Sequence, residues 1–250
     1  MGRRKEQFAG IRVARNAYIK KMTRLYGRQG GRLVRAIRST TSGDDKSFPD
    51  TDSITISFFE QAKEEYKELV RIHSRKIYRD SAIAHGMPKD LANLKSRQFA
   101  EHRAREAGNS MANSAFDRFL NLQKRLDSRL DRDVETSYSE LRREVKKVFN
   151  PVRGSNVAIN EATIAASQGA QDAAEDAGLD SRKDRWRTNP GLSATGPCPI
   201  CKPLNKKTRR VWEKKFPNGP PAHPRCVCSI DFVNSRKLKA KARRQKKQGF

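Results

Sequence analysis

The sequence predicts a mainly α-helical chain closed by a small cysteine-bearing module. Apolar residues recur at steps of three and four up to about residue 177. That period vanishes after Trp186, where Pro190, Pro197, Pro199, Pro203, Pro217, Pro220, Pro221 and Pro224 crowd together. In addition, all four cysteines fall between Cys198 and Cys228. These observations divide the chain into a basic N-terminal arm at 1–40, an α-helical domain at 41–182, a C-terminal module at 183–234 and a basic tail at 235–250.

Taken in order, the arm carries Arg3, Arg4, Lys5, Arg12 and Arg15 among its twelve basic residues, against the single acid Glu6. Phe8, Ile11, Tyr18, Met22, Leu25 and Tyr26 recur at roughly helical spacing, so an amphipathic helix with a cationic face is expected, weakened at Gly27 and Gly30-Gly31. Residues 39–53 read as a loop. Ser57 and Glu60 have the spacing of a capping box, which places the next helix start at Ser57. Phe59, Ala62, Tyr66, Leu69, His73 and Ile77 form its apolar stripe, with His73 as a core or interface histidine. A longer rod is expected from Phe116 through Phe119, Leu126, Leu130, Val134, Tyr138, Leu141, Val145 and Val148, ended by Asn150-Pro151. Neither rod buries its stripe alone, so an antiparallel helical hairpin or self-association through the helices is expected.

After a break at 151–155, an Ala-rich helix is expected over 157–177, with Gly178 as its C′ residue. Asp172 and Asp176 on it read as a solvated face. Short strands are expected at 208–212 and 227–233, forming a β-hairpin, with Trp186 and Trp212 as the small core of the module. Beyond Asn234 the tail holds Arg236, Lys237, Lys239, Lys241, Arg243, Arg244, Lys246 and Lys247 without an acid, a composition that leans to disorder.

The 250 residues carry 54 Lys plus Arg against 28 Asp plus Glu, a formal charge of +26. No run approaches the ~18 apolar residues of a membrane span. The basic start Met1-Gly-Arg-Arg-Lys5 precedes no apolar stretch, so a soluble chain not secreted by the general route and without a membrane partner is expected. Such an excess of positive charge repels itself unless a polyanion is near, and counterion release makes nucleic acid the natural partner, with an acidic protein surface as the other. Both basic termini, Arg3 to Arg15 and Arg236 to Lys247, are candidate nucleic-acid contacts.

The sharpest chemistry lies in Cys198-Pro-Ile-Cys201 and His223-Pro-Arg-Cys226-Val-Cys228. A C-x2-C turn sets two thiolates on one side of a metal, and the returning segment supplies two more ligands, which fits tetrahedral zinc. Cys198, Cys201, His223, Cys226 and Cys228 compete for four places. In extended backbone Cys226 and Cys228 point to opposite faces, so both bind one ion only if the chain turns between them; otherwise His223 takes the fourth place. The competing readings are two disulfides or four reduced thiols. A closed four-ligand set favours structural Zn2+ over a catalytic ion, and the fold class is then a long helical hairpin plus Ala-rich helix with a zinc-knuckle β-hairpin module.

The segments Asn160-Glu-Ala-Thr163, Asp184-Arg-Trp-Arg-Thr188, Cys198-Pro-Ile-Cys201-Lys-Pro-Leu-Asn205 and Phe216 to Cys228 together resemble the C-terminal domain of the phage Mu F-like minor head proteins, the phage head morphogenesis family. The resemblance covers about residues 155–233. Val227 stands where the family usually has Arg, and Asn160-Glu161-Ala162 where it has Arg-Thr-Glu. The resemblance implies a non-enzymatic minor capsid protein of the virion, inside the head of a tailed phage. It further implies recruitment in the host cytoplasm during assembly through the portal protein and capsid components, and non-specific contact with packaged DNA. The rival reading is a zinc-supported DNA nuclease of the His-Asn-His type, which needs a second histidine or acid beside His223.

Overall fold

The computed structural model describes residues 2–40, 52–130, 138–178, 183–189 and 198–232. Within its helices, the side chains of residues 2–9, 38–40, 52–55, 127, 129, 130, 138 and 141 lie outside that description. The chain is mainly helical, with one small antiparallel sheet. The long helices are α1 (Gly2–Thr40), α2 (Asp52–Ala84), α3 (Lys89–Leu130), α4 (Tyr138–Val148) and α5 (Pro151–Asp176). Strand β1 (Arg185–Arg187), a 3-10 turn (Lys202–Leu204), the one-turn helix α6 (Arg209–Trp212) and strand β2 (Ser229–Asp231) follow.

Several sequence expectations are corrected. Helix α1 runs through Gly27, Gly30 and Gly31 without a break. Its apolar side is buried at Tyr18, Met22, Leu25, Tyr26, Leu33, Val34 and Ile37, and this tertiary packing outweighs the propensity cost of glycine. Helix α2 begins at Asp52, so Ser57 lies inside it. Helix α3 begins at Lys89, well before Phe116, because the stretch ahead of Phe116 is buried through Ala92, Ala100, Ala104, Ala107, Ala112 and Ala115. Alanine packs closely but contributes little to an apolar stripe read by hydrophobicity. Of the expected rod, Val134 lies outside the described residues.

Helix α5 starts at Pro151, where a break was expected. The missing N–H of proline is harmless at a first helical position, and the Asn150 side chain accepts the Val152 N–H at 2.9 Å. The helix ends as expected: Gly178 adopts φ +64, and its N–H donates to the Glu175 carbonyl at 2.8 Å.

By contacts the chain forms two compact units, one of Met1–Ile19, Arg71–Glu101 and Asn156–Phe250, the other of Lys20–Val70 and His102–Ser155. The second unit has an aromatic core. Phe59 packs edge-on to Phe116 at 5.2 Å and lies 6.2 Å from Phe149, while Tyr26 meets Tyr66 at 5.4 Å between ring centroids. Arg32 of α1 bonds Glu65 of α2 at 2.5 Å.

In the first unit, Tyr18 stacks on the buried His73 at 4.8 Å, and Tyr78 stacks on Phe99 at 5.0 Å. Helix α5 lies close to α2: the Ser81 hydroxyl donates to the Ala166 carbonyl at 2.6 Å, and the Tyr78 hydroxyl donates to Asp172. Asp172 also accepts from Gln168 at 2.7 Å, so it is held within the fold and does not belong to a free solvated face. Burial, then the Asp172 hydrogen bond, raises the Tyr78 pKa.

Candidate metal centre

The C-terminal module is built around Trp186. β1 pairs antiparallel with β2 in the register Arg185↔Asp231, Trp186↔Ile230 and Arg187↔Ser229. On the other edge of β1, Lys206 N–H donates to the Trp186 carbonyl at 2.7 Å, and Trp186 N–H donates to the Lys207 carbonyl at 2.9 Å. The strands therefore pair across the whole module and do not form the expected hairpin. Only the second strand expectation survives, shortened; 208–212 instead holds a one-residue bridge at Thr208 and α6. Trp186 and Trp212 sit 5.9 Å apart at an edge-on tilt and pack with Cys201, Leu204, Cys226 and Cys228 into the small core expected of them.

The 3-10 turn lifts the first cysteine pair. Lys202 N–H donates to the Cys198 carbonyl at 2.9 Å, and Cys201 N–H points to Cys198 Sγ at 3.3 Å. The returning segment brings His223 Nε2 to 2.9 Å from Cys198 Sγ and 3.2 Å from Cys201 Sγ. The His223 Nδ1 lies 2.8 Å from the Pro224 carbonyl, which can only accept, so Nδ1 donates there and Nε2 is the nitrogen turned to the sulfurs. Cys201 Sγ is 3.9 Å from Cys226 Sγ.

Cys198, Cys201 and His223 form one group whose ligand atoms lie within 4.8 Å of one another; Cys201, Cys226 and Cys228 form a second. Cys201 belongs to both. Residues 226–228 lie outside β2, and both thiols reach Cys201, so the alternation of an extended strand does not separate them. All four cysteines are free thiols, which removes the two-disulfide reading for this structure.

These groups can hold a metal ion. Metal–sulfur bonds of ~2.3 Å put tetrahedral sulfurs about 3.8 Å apart, which the Cys201–Cys226 separation matches. The same geometry puts sulfur and imidazole nitrogen about 3.5 Å apart, so the His223 contacts at 2.9 and 3.2 Å must open by roughly 0.3–0.7 Å to admit an ion. Packed without a cation, the thiols cannot all ionise. A hydrogen bond from Cys228 pushes the Cys226 thiol down to about 5, the same contact raises Cys228, and burial raises Cys201.

Two residues of α5 complete the site and were not read from the sequence as part of it. Arg225 adopts φ 64, a left-handed conformation that strains a side chain with a Cβ, and its N–H donates to Asn160 Oδ1 at 2.8 Å. One helical turn on, the buried Thr163 Oγ1 lies 2.7 Å from the carbonyl oxygen of Cys226 and 2.9 Å from that of Ile159. The Asn-x-x-Thr spacing puts both on one helix face, the only signal the sequence offers. Behind the loop, Asn189 Nδ2 donates to the Val227 carbonyl at 2.9 Å. Phe232 then packs on Ala170 and Ala174 of α5, with the His85 ring 5.8 Å away.

The other candidate residues lie elsewhere. Arg12 is exposed on α1, whereas Arg15 is half-buried with its Nε enclosed, and burial followed by the Arg12 charge lowers its pKa. The side chains of Arg3, Arg4 and Lys5, and the whole tail with Arg236, Lys237, Lys239, Lys241, Arg243, Arg244, Lys246 and Lys247, lie outside the described residues. No described helix is long and apolar enough to cross a membrane. Comparison with models of known protein families, with curated proteins and with solved structures finds no match.

Proposed function

We propose that this chain is a minor head protein of a tailed phage, acting in head morphogenesis through the portal and contacting packaged DNA non-specifically, with Zn2+ as a structural ion in its C-terminal knuckle. One observation carries this reading. The separate segments that resemble the phage Mu F-like family are assembled around one centre: Asn160 and Thr163 hold the Arg225–Cys226 turn, Trp186 forms the core beside it, and Cys198, Cys201, His223, Cys226 and Cys228 converge. Segments that share a sequence order by chance have no reason to share a site.

The finer architecture follows from this reading: a helical hairpin and the Ala-rich helix α5 carry a zinc-stapled module. Zinc suits the ligand set, because soft thiolates and one neutral imidazole favour it over the oxygen-seeking cations. The ion fixes the module and performs no chemistry. The net charge of +26 supports confinement beside condensed DNA, through phosphate contacts that carry no sequence information.

The test is the copy number of this chain in purified particles by quantitative mass spectrometry. A number at or below that of the portal protein is expected; absence from particles overturns the reading. Plasmid incubated with the chain and Mg2+ or Zn2+ stays intact on this account, and nicking would favour the nuclease.

A further inference from the structure

A cleft of about 620 Å3 lies in the second unit, between α1 and the segment from α4 to the start of α5. That size falls within the ~300–1,000 Å3 of ligand pockets. Gly27, Gly30 and Gly31 face it from α1, and Arg35, Arg142 and Lys146 line it with no acid among the lining residues. At Gly27 no atom stands within 4 Å of where a Cβ would be, and Arg35 Nη1 reaches to 3.8 Å of that position at Gly31. The three cations are exposed and make no ion pair with any described residue.

The neighbouring cations differ. On α4, Arg143 pairs with Glu140 at 3.5 Å and Glu144 at 3.8 Å, and Lys147 pairs with Glu144. On α1, Arg32 is taken by Glu65. Helix α4 thus sorts its basic residues into a neutralised pair and, at Arg142 and Lys146, a pair one turn apart that faces the cleft without an ion pair among the described residues. Helix α1 contains no acid from Gln7 to Thr40 and exposes Arg24 and Arg28 as well. This continues the positive row beyond the cleft, which matches a polymer charged at every unit better than an isolated carboxylate.

We infer that this cleft is a seat for the phosphate backbone of a nucleic-acid strand, held by Arg35, Arg142 and Lys146 over the glycine floor of α1. The two arginines offer forked donors to phosphate oxygens, Lys146 adds a point charge, and the absence of side chains at Gly27 and Gly31 lets the backbone approach, while Gly30 packs on Phe149. The inference rests on the DNA-contact part of the proposed function and moves a contact from the termini into the folded helical region.

The experiment is fluorescence anisotropy of a labelled DNA duplex across a salt series, using the full chain, R142Q/K146Q and R143Q/K147Q. Each phosphate contact contributes roughly 0.9 to the slope of log K against log salt. The cleft pair should flatten the slope by about 1.8 and weaken binding roughly tenfold near ~0.1 M salt, while R143Q/K147Q, which removes the same charge, should leave both nearly unchanged. Gly27→Leu fills the cleft without altering charge or lowering helix propensity, and it should weaken binding too.

Equal slopes for both double variants, or Gly27→Leu binding as tightly as the parent, overturns the cleft. So does loss of poly-glutamate binding by R142Q/K146Q with DNA binding intact, which would assign the cleft to an acidic peptide. A parent chain with no salt dependence overturns the DNA-contact reading itself, a result distinct from failure of the cleft alone.

Discussion

The Thr163 hydroxyl donates to the carbonyl oxygen of Cys226 at 2.7 Å, in a buried contact between α5 and the second half of the cysteine–histidine cluster. With Asn160 accepting the N–H of the left-handed Arg225, it fixes the backbone on both sides of one thiol of the candidate metal cluster. The module is therefore held by hydrogen bonds to the helix as well as by its own small core.

Thr163→Val keeps the shape and removes the hydroxyl, leaving the Cys226 carbonyl without its donor. A buried orphan of this kind costs about 1–3 kcal/mol. Lower thermal stability and weaker zinc retention against a chelator are expected, with Thr163→Ser restoring both. Equal behaviour of the Val and Ser variants would contradict the hydrogen-bond argument.

Gly169→Ala places a Cβ against the backbone carbonyl of Tyr78, which cannot swing aside as a flexible side chain can. The helix-propensity gain of up to ~1 kcal/mol is lost to separation of α5 from α2. Reduced thermal stability is expected, whereas Gly27→Ala, at open space, should stabilise or leave the protein unchanged.

Tyr26, Tyr66 and Tyr78 have pKa values raised above the ordinary 10.0, in each case chiefly by burial. Below that value both folded and unfolded chains keep the protons. Above it the unfolded chain releases protons that the folded chain retains, so this part of the stability is full below about pH 10 and is lost as pH rises further. Absorbance titration of tyrosinate should show delayed ionisation that coincides with loss of helical circular dichroism. Ordinary ionisation of all five tyrosines in the folded chain would contradict it.

The sequence was legible where one strong signal acted alone. The stripe Phe59, Ala62, Tyr66, Leu69, His73 and Ile77 is buried except at the half-buried Leu69, Gly178 closes α5, and both tryptophans flank the cysteines. It misled where tertiary packing overrode local preference, as at the glycines of α1, or where the buried face was alanine, as in the first half of α3. The Arg185–Arg187 strand was invisible, because a three-residue strand with one inward residue has no period to detect. The clustering of the cysteines with His223 was legible from spacing; the support from Asn160 and Thr163 was not, since it depends on how the module meets α5.

The central proposal is that the C-terminal cysteine–histidine cluster, in which Cys201 is common to both candidate groups, binds a single zinc ion. The direct measurement is zinc content by mass spectrometry together with thiol titration, on the native chain and on Cys201→Ser. One equivalent of zinc with protected thiols is predicted for the native chain, and loss of the ion with a lower melting temperature for the variant. A native chain purified under zinc-replete, reducing conditions that holds no zinc, exposes all its thiols to reagent and melts at the same temperature with or without chelator would contradict the account.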